Sequence, residues 1–214
     1  MYKYGSKKYM HRLAERGEIK IGTLYGYKYM EEQKKGVNDP LEGEYHNELI
    51  FGDYTFDNVN VFTDRMLHNE LSDVFGDIGT VLRLQNVKIN EHRHSTNNLI
   101  FCTSFENSLA VMNEFNADCC VEITKPNMFF KLVTYELNKI IKNTFVNTHY
   151  VQYGNHTRVN EIRLGKLHPV LAKTPDFSGQ KELRSIWSVP KESLDMINND
   201  GYILKIPQLK KFCR

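Results

Sequence analysis

Near the end of the chain, the stretch Gly179–Pro190 (GQKELRSIWSVP) spaces an amide, a carboxylate and a guanidinium at intervals of two: Gln180, Glu182 and Arg184. Strand alternation puts these three with Ile186 on one face, and Leu183, Ser185 and Trp187 on the other. Trp187 is the only tryptophan. A row of this kind suits either a solvated outer face or the wall of a binding cleft. Which one holds depends on what the rest of the chain brings beside it.

Other chemistry-bearing residues are sparser. Asp39 and Glu42 stand three apart in a loop between Gly36 and Gly43 (GVNDPLEG). Asn38 and Asp39 there suit local turn bonds, although loops held by rigid strands also carry function. A metal-dependent nuclease or other hydrolase built on Asp39 and Glu42 would need a further spaced carboxylate–histidine set, and the sequence offers none. Thr103 and Ser104 close an apolar run (FCTSF), where buried hydroxyls need partners. His92 and His94 fall in a polar stretch and read as surface residues. Cys102, Cys119, Cys120 and Cys213 form no CxxC pair, and adjacent Cys119 and Cys120 would face opposite sides of a strand. Reduced thiols and no metal site are expected. Neither a phosphate loop nor a dinucleotide fingerprint occurs, nor an HExxH or GxSxG motif.

The elements that must position these residues belong to a globular chain. Its 214 residues are 41% hydrophobic and 25% charged, which excludes a disordered class. The net charge of +2 is too small to declare a nucleic-acid binder, since a local basic face is what matters. Twelve Tyr and twelve Phe suit β-rich folds and clefts that stack flat ligands. No stretch reaches the roughly 18 apolar residues of a membrane helix. The opening residues lack the apolar run of a secretory signal. A cytoplasmic protein with no membrane partner is expected.

YKYG reads as a first strand. A helix over Lys7–Arg16 follows, with Ser6 as N-cap and Gly17 as the closing glycine. EIKIGTL is a strand, and EEQKKGVNDPLEGEYH a polar loop. NELIFGDYTFDNVNVFT predicts two strands joined at Gly52-Asp53. Apolar spacing predicts a helix over Thr63–Phe75. GTVLRLQNVKI is a strand, NEHRHSTNN a turn or loop, LIFCTSF a buried strand, ENSLAVMNEF a short helix and ADCCVEI a strand. A helical turn from Lys125 precedes strands around FFKLVTY, VNTHYVQY and KLHPVLAK, and YILKI closes the set. Strands dominate, helices fall mainly in the N-terminal half, and no βα unit repeats. The prediction is α+β, as one domain over 1–214.

Taken in order, these pieces resemble the ADP-ribosyltransferase superfamily. Its arginine-serine-glutamate branch has a basic residue on strand one, a Ser-Thr-Ser strand, and a late Glu/Gln-x-Glu strand. Here YKYGSKKYMHRLAERGEIKIGTL looks like the opening strand, helix and strand, FCTSF like the second motif, and QKE like the third. The NDPLE loop with a late strand is also similar to a broad group of uncharacterised bacterial proteins. Two positions depart from the pattern. Cys102 stands where the first serine would be, and Lys3-Tyr4 where arginine or histidine is usual.

The resemblance implies a split β-sheet core and NAD as substrate, with no metal. Glu182 would be the catalytic carboxylate, bonding the ribose and stabilising positive charge as nicotinamide leaves. Gln180 would position the acceptor. Lys3 or Tyr4, Thr103, Ser104 and Arg184 would bind NAD, with Lys3 or Arg184 on its diphosphate. The acceptor would be a nucleic acid (RNA or DNA) or a protein. By fold-level analogy the role would be a bacterial toxin or anti-phage effector, with an antitoxin or immunity protein as partner. The alternative is a non-catalytic nucleic-acid- or protein-binding module on the same fold.

Overall fold

A computed structural model describes residues 1–29, 43–57, 81–154, 157–159 and 168–214. Asp39, Glu42 and the helix expected over Thr63–Phe75 lie outside these residues. The chain divides into two compact units, one of 1–44, 94–154 and 168–214, the other of 45–93 and 155–167.

The first unit opens with β1 (Tyr2–Gly5), α1 (Lys7–Arg16) and β2 (Glu18–Thr23), as the sequence predicts. Ser6 takes the N-cap position, but its hydroxyl makes no cap bond. The Lys7 N–H donates instead to Asp118 Oδ1. Gly17 ends the helix at φ 66°, and a Cβ there would lie 2.0 Å from the Ile206 carbonyl oxygen. Only glycine satisfies both the left-handed backbone and that close approach. A short helix, α2 (Leu24–Tyr29), follows β2.

The second unit carries β3 (Glu44–Asp57) and β4 (Val81–His94), each 14 residues long. The turn expected at Gly52-Asp53 is absent, because β3 runs straight through it. Of the loop expected over 90–98, the first part through His94 belongs to β4, and residues 95–98 leave the strand. Both histidine side chains are exposed. An exposed ion pair, Arg83 Nη2 to Asp53 Oδ2 at 3.1 Å, bridges β3 and β4.

Returning to the first unit, β5 (Leu99–Ser104) is its central strand. After it come α3 (Leu109–Glu114), β6 (Cys119–Glu122), α4 (Pro126–Leu137), β7 (Thr144–Tyr150) and β8 (Gln152–Tyr153). In the second unit, β9 (Thr157–Val159) pairs parallel with β3. Finally come β10 (Ala172–Lys173), β11 (Glu182–Ser188) and β12 (Tyr202–Lys205). FFKLVTY lies in α4 and is not the strand expected there. Pro126 suits a first helical turn, and Phe129, Phe130, Val133 and Leu137 form an apolar stripe at helical spacing. This 12-residue helix is the longest described, and among the described residues the helices do not fall mainly in the N-terminal half.

The resulting fold is α+β with a mostly antiparallel sheet. Seven strands join in the first unit. On one edge β5 pairs antiparallel with β11, from Glu182 opposite Ser104 to Trp187 opposite Leu99. On the other edge its partners change along its length. Gly22 and Thr23 of β2 face Ile100 and Leu99, while Tyr2 of β1 faces Ser104. Between them, around Cys102, the sheet opens. One face buries Phe101 and Trp187 against α4 and the α1 residues Met10 and Leu13. The other buries Ile100 and Ile186 with Leu24 and Val170.

Candidate functional site

The sheet opening holds a cavity of about 350 Å³, within the size range of small-molecule sites. Lys3, Tyr4 and Gly5 line it from β1, Lys20, Gly22 and Thr23 from β2, and Cys102 from β5. Glu182 and Arg184 come from β11, with Gln180 just ahead of that strand and Lys173 from β10. A second cavity of about 430 Å³ shares Lys3, Tyr4, Gly5, Tyr9, Lys20 and Tyr27 with the first.

Both faces of β11 are covered, and every residue from Glu182 to Trp187 is buried. The row beginning at Glu182 is therefore a cleft wall and no solvated face. Its charges are paired. Arg184 Nε donates to Glu182 Oε1 at 2.8 Å, and Lys173 Nζ to Glu182 Oε2 at 3.0 Å. Arg184 Nη1 also donates to the Val170 carbonyl. Burial by itself would push the Glu182 carboxyl up, but Arg184 and Lys173 outweigh it and hold the group well below the usual carboxylate range. The Glu182 backbone N–H donates to the Tyr153 hydroxyl at 2.9 Å. Burial, reinforced by the Glu182 charge, pushes that phenol up.

Gln180 is not on the strand. It ends a 3-10 turn over Pro175–Gln180, and Lys181 then takes the left-handed region at φ 49°. That residue breaks the alternation, so Gln180 does not stand one strand repeat from Glu182. Instead its Oε1 accepts from Lys173 Nζ at 2.9 Å, and one ammonium joins the two side chains. Gln180 is fully buried, at 1% exposure.

On strand one, the Lys3 side chain crosses the opening. Its Nζ donates to the Cys102 carbonyl at 2.8 Å and lies 4.7 Å from the Phe101 ring centroid. Burial lowers the Lys3 pKa, with the Cys102 and Glu182 charges opposing. The Cys102 thiol is pushed up to about 12, first by burial and then by Glu182, which leaves it no thiolate for nucleophilic chemistry near neutrality. Tyr4 stacks on Phe115 at 5.6 Å, and its hydroxyl donates to the Glu106 carbonyl at 2.9 Å.

Thr103 and Ser104 do not join the site as expected. Thr103 Oγ1 donates to the Leu183 carbonyl at 3.4 Å. Ser104 Oγ donates to the Lys181 carbonyl at 3.0 Å and accepts from the Glu106 N–H at 3.2 Å. Both are fully buried, and neither lines the cavities described. Lys173 and Tyr153 were missed from the sequence. The signal for Lys173 was present: a lone lysine closing the apolar run Val170–Ala172 must be paired if buried.

Among the described residues no cluster of three or more His, Cys, Asp or Glu side chains could hold a metal. None of their helices is long and apolar enough to cross a membrane. Comparison with family models, curated proteins and solved structures gives no match.

Proposed function

We propose that this cavity takes NAD and that the chain transfers ADP-ribose from it to an acceptor. The observation that carries the reading is Glu182, a carboxylate held between Lys173 and Arg184 in the wall of a predominantly basic cavity. Around it Lys3, Lys20, Lys173 and Arg184 outnumber the acidic Glu182 and Asp200. Such a lining favours an anionic ligand, and a diphosphate fits that preference. Tyr4, Tyr9 and Tyr27 offer aromatic surface for flat rings at both ends of a dinucleotide. The opening between the first two strands also suits the split core that the sequence resemblance implies.

In this reading the nicotinamide–ribose bond breaks and its electron pair leaves with nicotinamide. Positive charge develops on the sugar, and a preorganised carboxylate stabilises it more there than in the ground state. The acceptor's nucleophile bonds to the anomeric carbon and gives up its proton to water. A nucleic acid or a protein supplies that nucleophile, and a toxin or defence effector is the role in keeping with it. Glu182 needs no metal to act in this way.

The test is incubation with NAD labelled in its adenylate half, alone and with separate pools of RNA, DNA and protein. Release of nicotinamide with label carried into one pool is the expected result. Binding of NAD without turnover would establish the non-catalytic binding module instead. Absence of binding would overturn the reading.

A further inference from the structure

Lys173 is enclosed at 5% side-chain exposure, yet its ammonium is at the centre of the polar cluster. Three partners surround it: Gln180 Oε1 at 2.9 Å, Glu182 Oε2 at 3.0 Å and the Phe177 ring at 4.6 Å. The backbone on which it stands is tied to the same cluster. Lys173 pairs in parallel register with Tyr153, and the Tyr153 hydroxyl accepts the Glu182 N–H. One tyrosine therefore fixes the lysine's strand by its backbone and the glutamate's strand by its side chain.

From this closed arrangement we propose that Lys173 is a positioning residue, which locks Gln180 and Glu182 into one unit and fixes how the carboxylate faces the cavity. The inference rests on reading Glu182 as the group that meets the ligand's sugar. A carboxylate has about four acceptor sites; Lys173 and Arg184 take one on each oxygen, and the Cys102 thiol takes a further one. The remaining acceptor capacity is then held in one orientation for a ligand hydroxyl. Gln180 gains a different role from the one expected of it. Its amide oxygen steadies the ammonium, so it acts on Glu182 through Lys173 and does not orient an acceptor independently.

The groups facing Glu182 are Lys173 from β10, Arg184 on its own strand, Cys102 from β5, Lys3 from β1 and Tyr153 from β8. The experiment follows the Glu182 carboxyl carbon by NMR through a pH titration of the full chain labelled with 13C-glutamate. Nicotinamide release is measured on the same samples. Lys173→Met keeps most of the length and removes the charge. It is expected to raise the Glu182 titration by about 1–3 pH units. It should cut the turnover rate by about a hundredfold, with a smaller effect on KM. Lys173→Arg is expected to restore the low titration and most of the rate.

A folded Lys173→Met protein with unshifted Glu182 and unchanged rate overturns the proposal. If that variant does not fold, Lys173→Arg decides. A folded arginine variant in which Glu182 titrates like an ordinary glutamate also overturns it. The expected titration shift in a protein that neither binds NAD nor releases nicotinamide would support the Lys173 lock and overturn the NAD reading alone.

Discussion

Glu182 and Ser104 are cross-strand partners, yet their side chains do not meet in a hydrogen bond. The serine hydroxyl turns to the Lys181 carbonyl, and the carboxylate is held by Lys173 and Arg184. The register thus joins the two motifs read from the sequence, but the task of orienting the carboxylate falls to cations.

Ser104→Ala should therefore act on stability and little on chemistry. It removes a buried bond to Lys181 and frees the Glu106 N–H. A loss of about 1 kcal/mol is expected, with nicotinamide release staying within a few-fold of the parent. Thermal melting and a rate assay on one preparation check both. A large rate loss without a change in melting would place Ser104 in direct contact with the ligand.

Glu182→Gln should affect both properties. The amide keeps the shape and removes the charge that neutralises Lys173 and Arg184 in a closed environment. Breaking a buried ion pair in this way costs about 3–5 kcal/mol. Turnover should fall about a hundredfold or more. The rate is best compared at a temperature where melting shows both proteins folded. A folded variant with near-parental turnover would remove Glu182 from the mechanism.

Acidification should narrow the stability difference between these two proteins. The Glu182 carboxyl titrates lower in the folded chain than in the unfolded one. Its contribution is complete above the ordinary glutamate value of about 4.3 and is lost as pH falls toward the folded value. Melting temperatures of the parent and Glu182→Gln, taken from about pH 6 down to about pH 3, should draw closer together below about pH 4.3. A constant gap across that range would mean that the carboxyl is not held low.

Lys3→Met should separate binding from folding. Burial disfavours the Lys3 charge, so its removal relieves a cost while losing the bond to the Cys102 carbonyl. These effects oppose each other, and melting should stay close to the parent. Affinity for ADP-ribose should fall about tenfold or more, the size of one charge-assisted hydrogen bond. Calorimetry measures this directly. Unchanged affinity would mean that Lys3 does not touch the anion.

The parts of this site legible in the sequence were those governed by local pattern. A nearly continuous apolar run marked β5, alternation marked β11, and a helix-closing glycine marked α1. Parts governed by long-range contact were not legible. Lys181 adopts a left-handed backbone that no turn residue announces, so Gln180 read as part of a strand it only precedes. FFKLVTY has the β-favouring composition of a strand, but Pro126 and the spacing of Phe129, Phe130, Val133 and Leu137 make it a helix under Trp187. Lys173 is in place only because β10 pairs with β8, a two-residue contact too short to leave any periodicity.

The opening around Cys102 is spanned by an amine, not by a ladder of peptide bonds. Paired strands are held about 4.8 Å apart by the backbone itself, whatever their side chains. Past the Tyr2–Ser104 pair that closes one end of this gap, the Lys3 ammonium reaches across to the Cys102 carbonyl. One side of the aperture is therefore a side chain, which a substitution at position 3 exchanges without touching the pairing of β5 with β11.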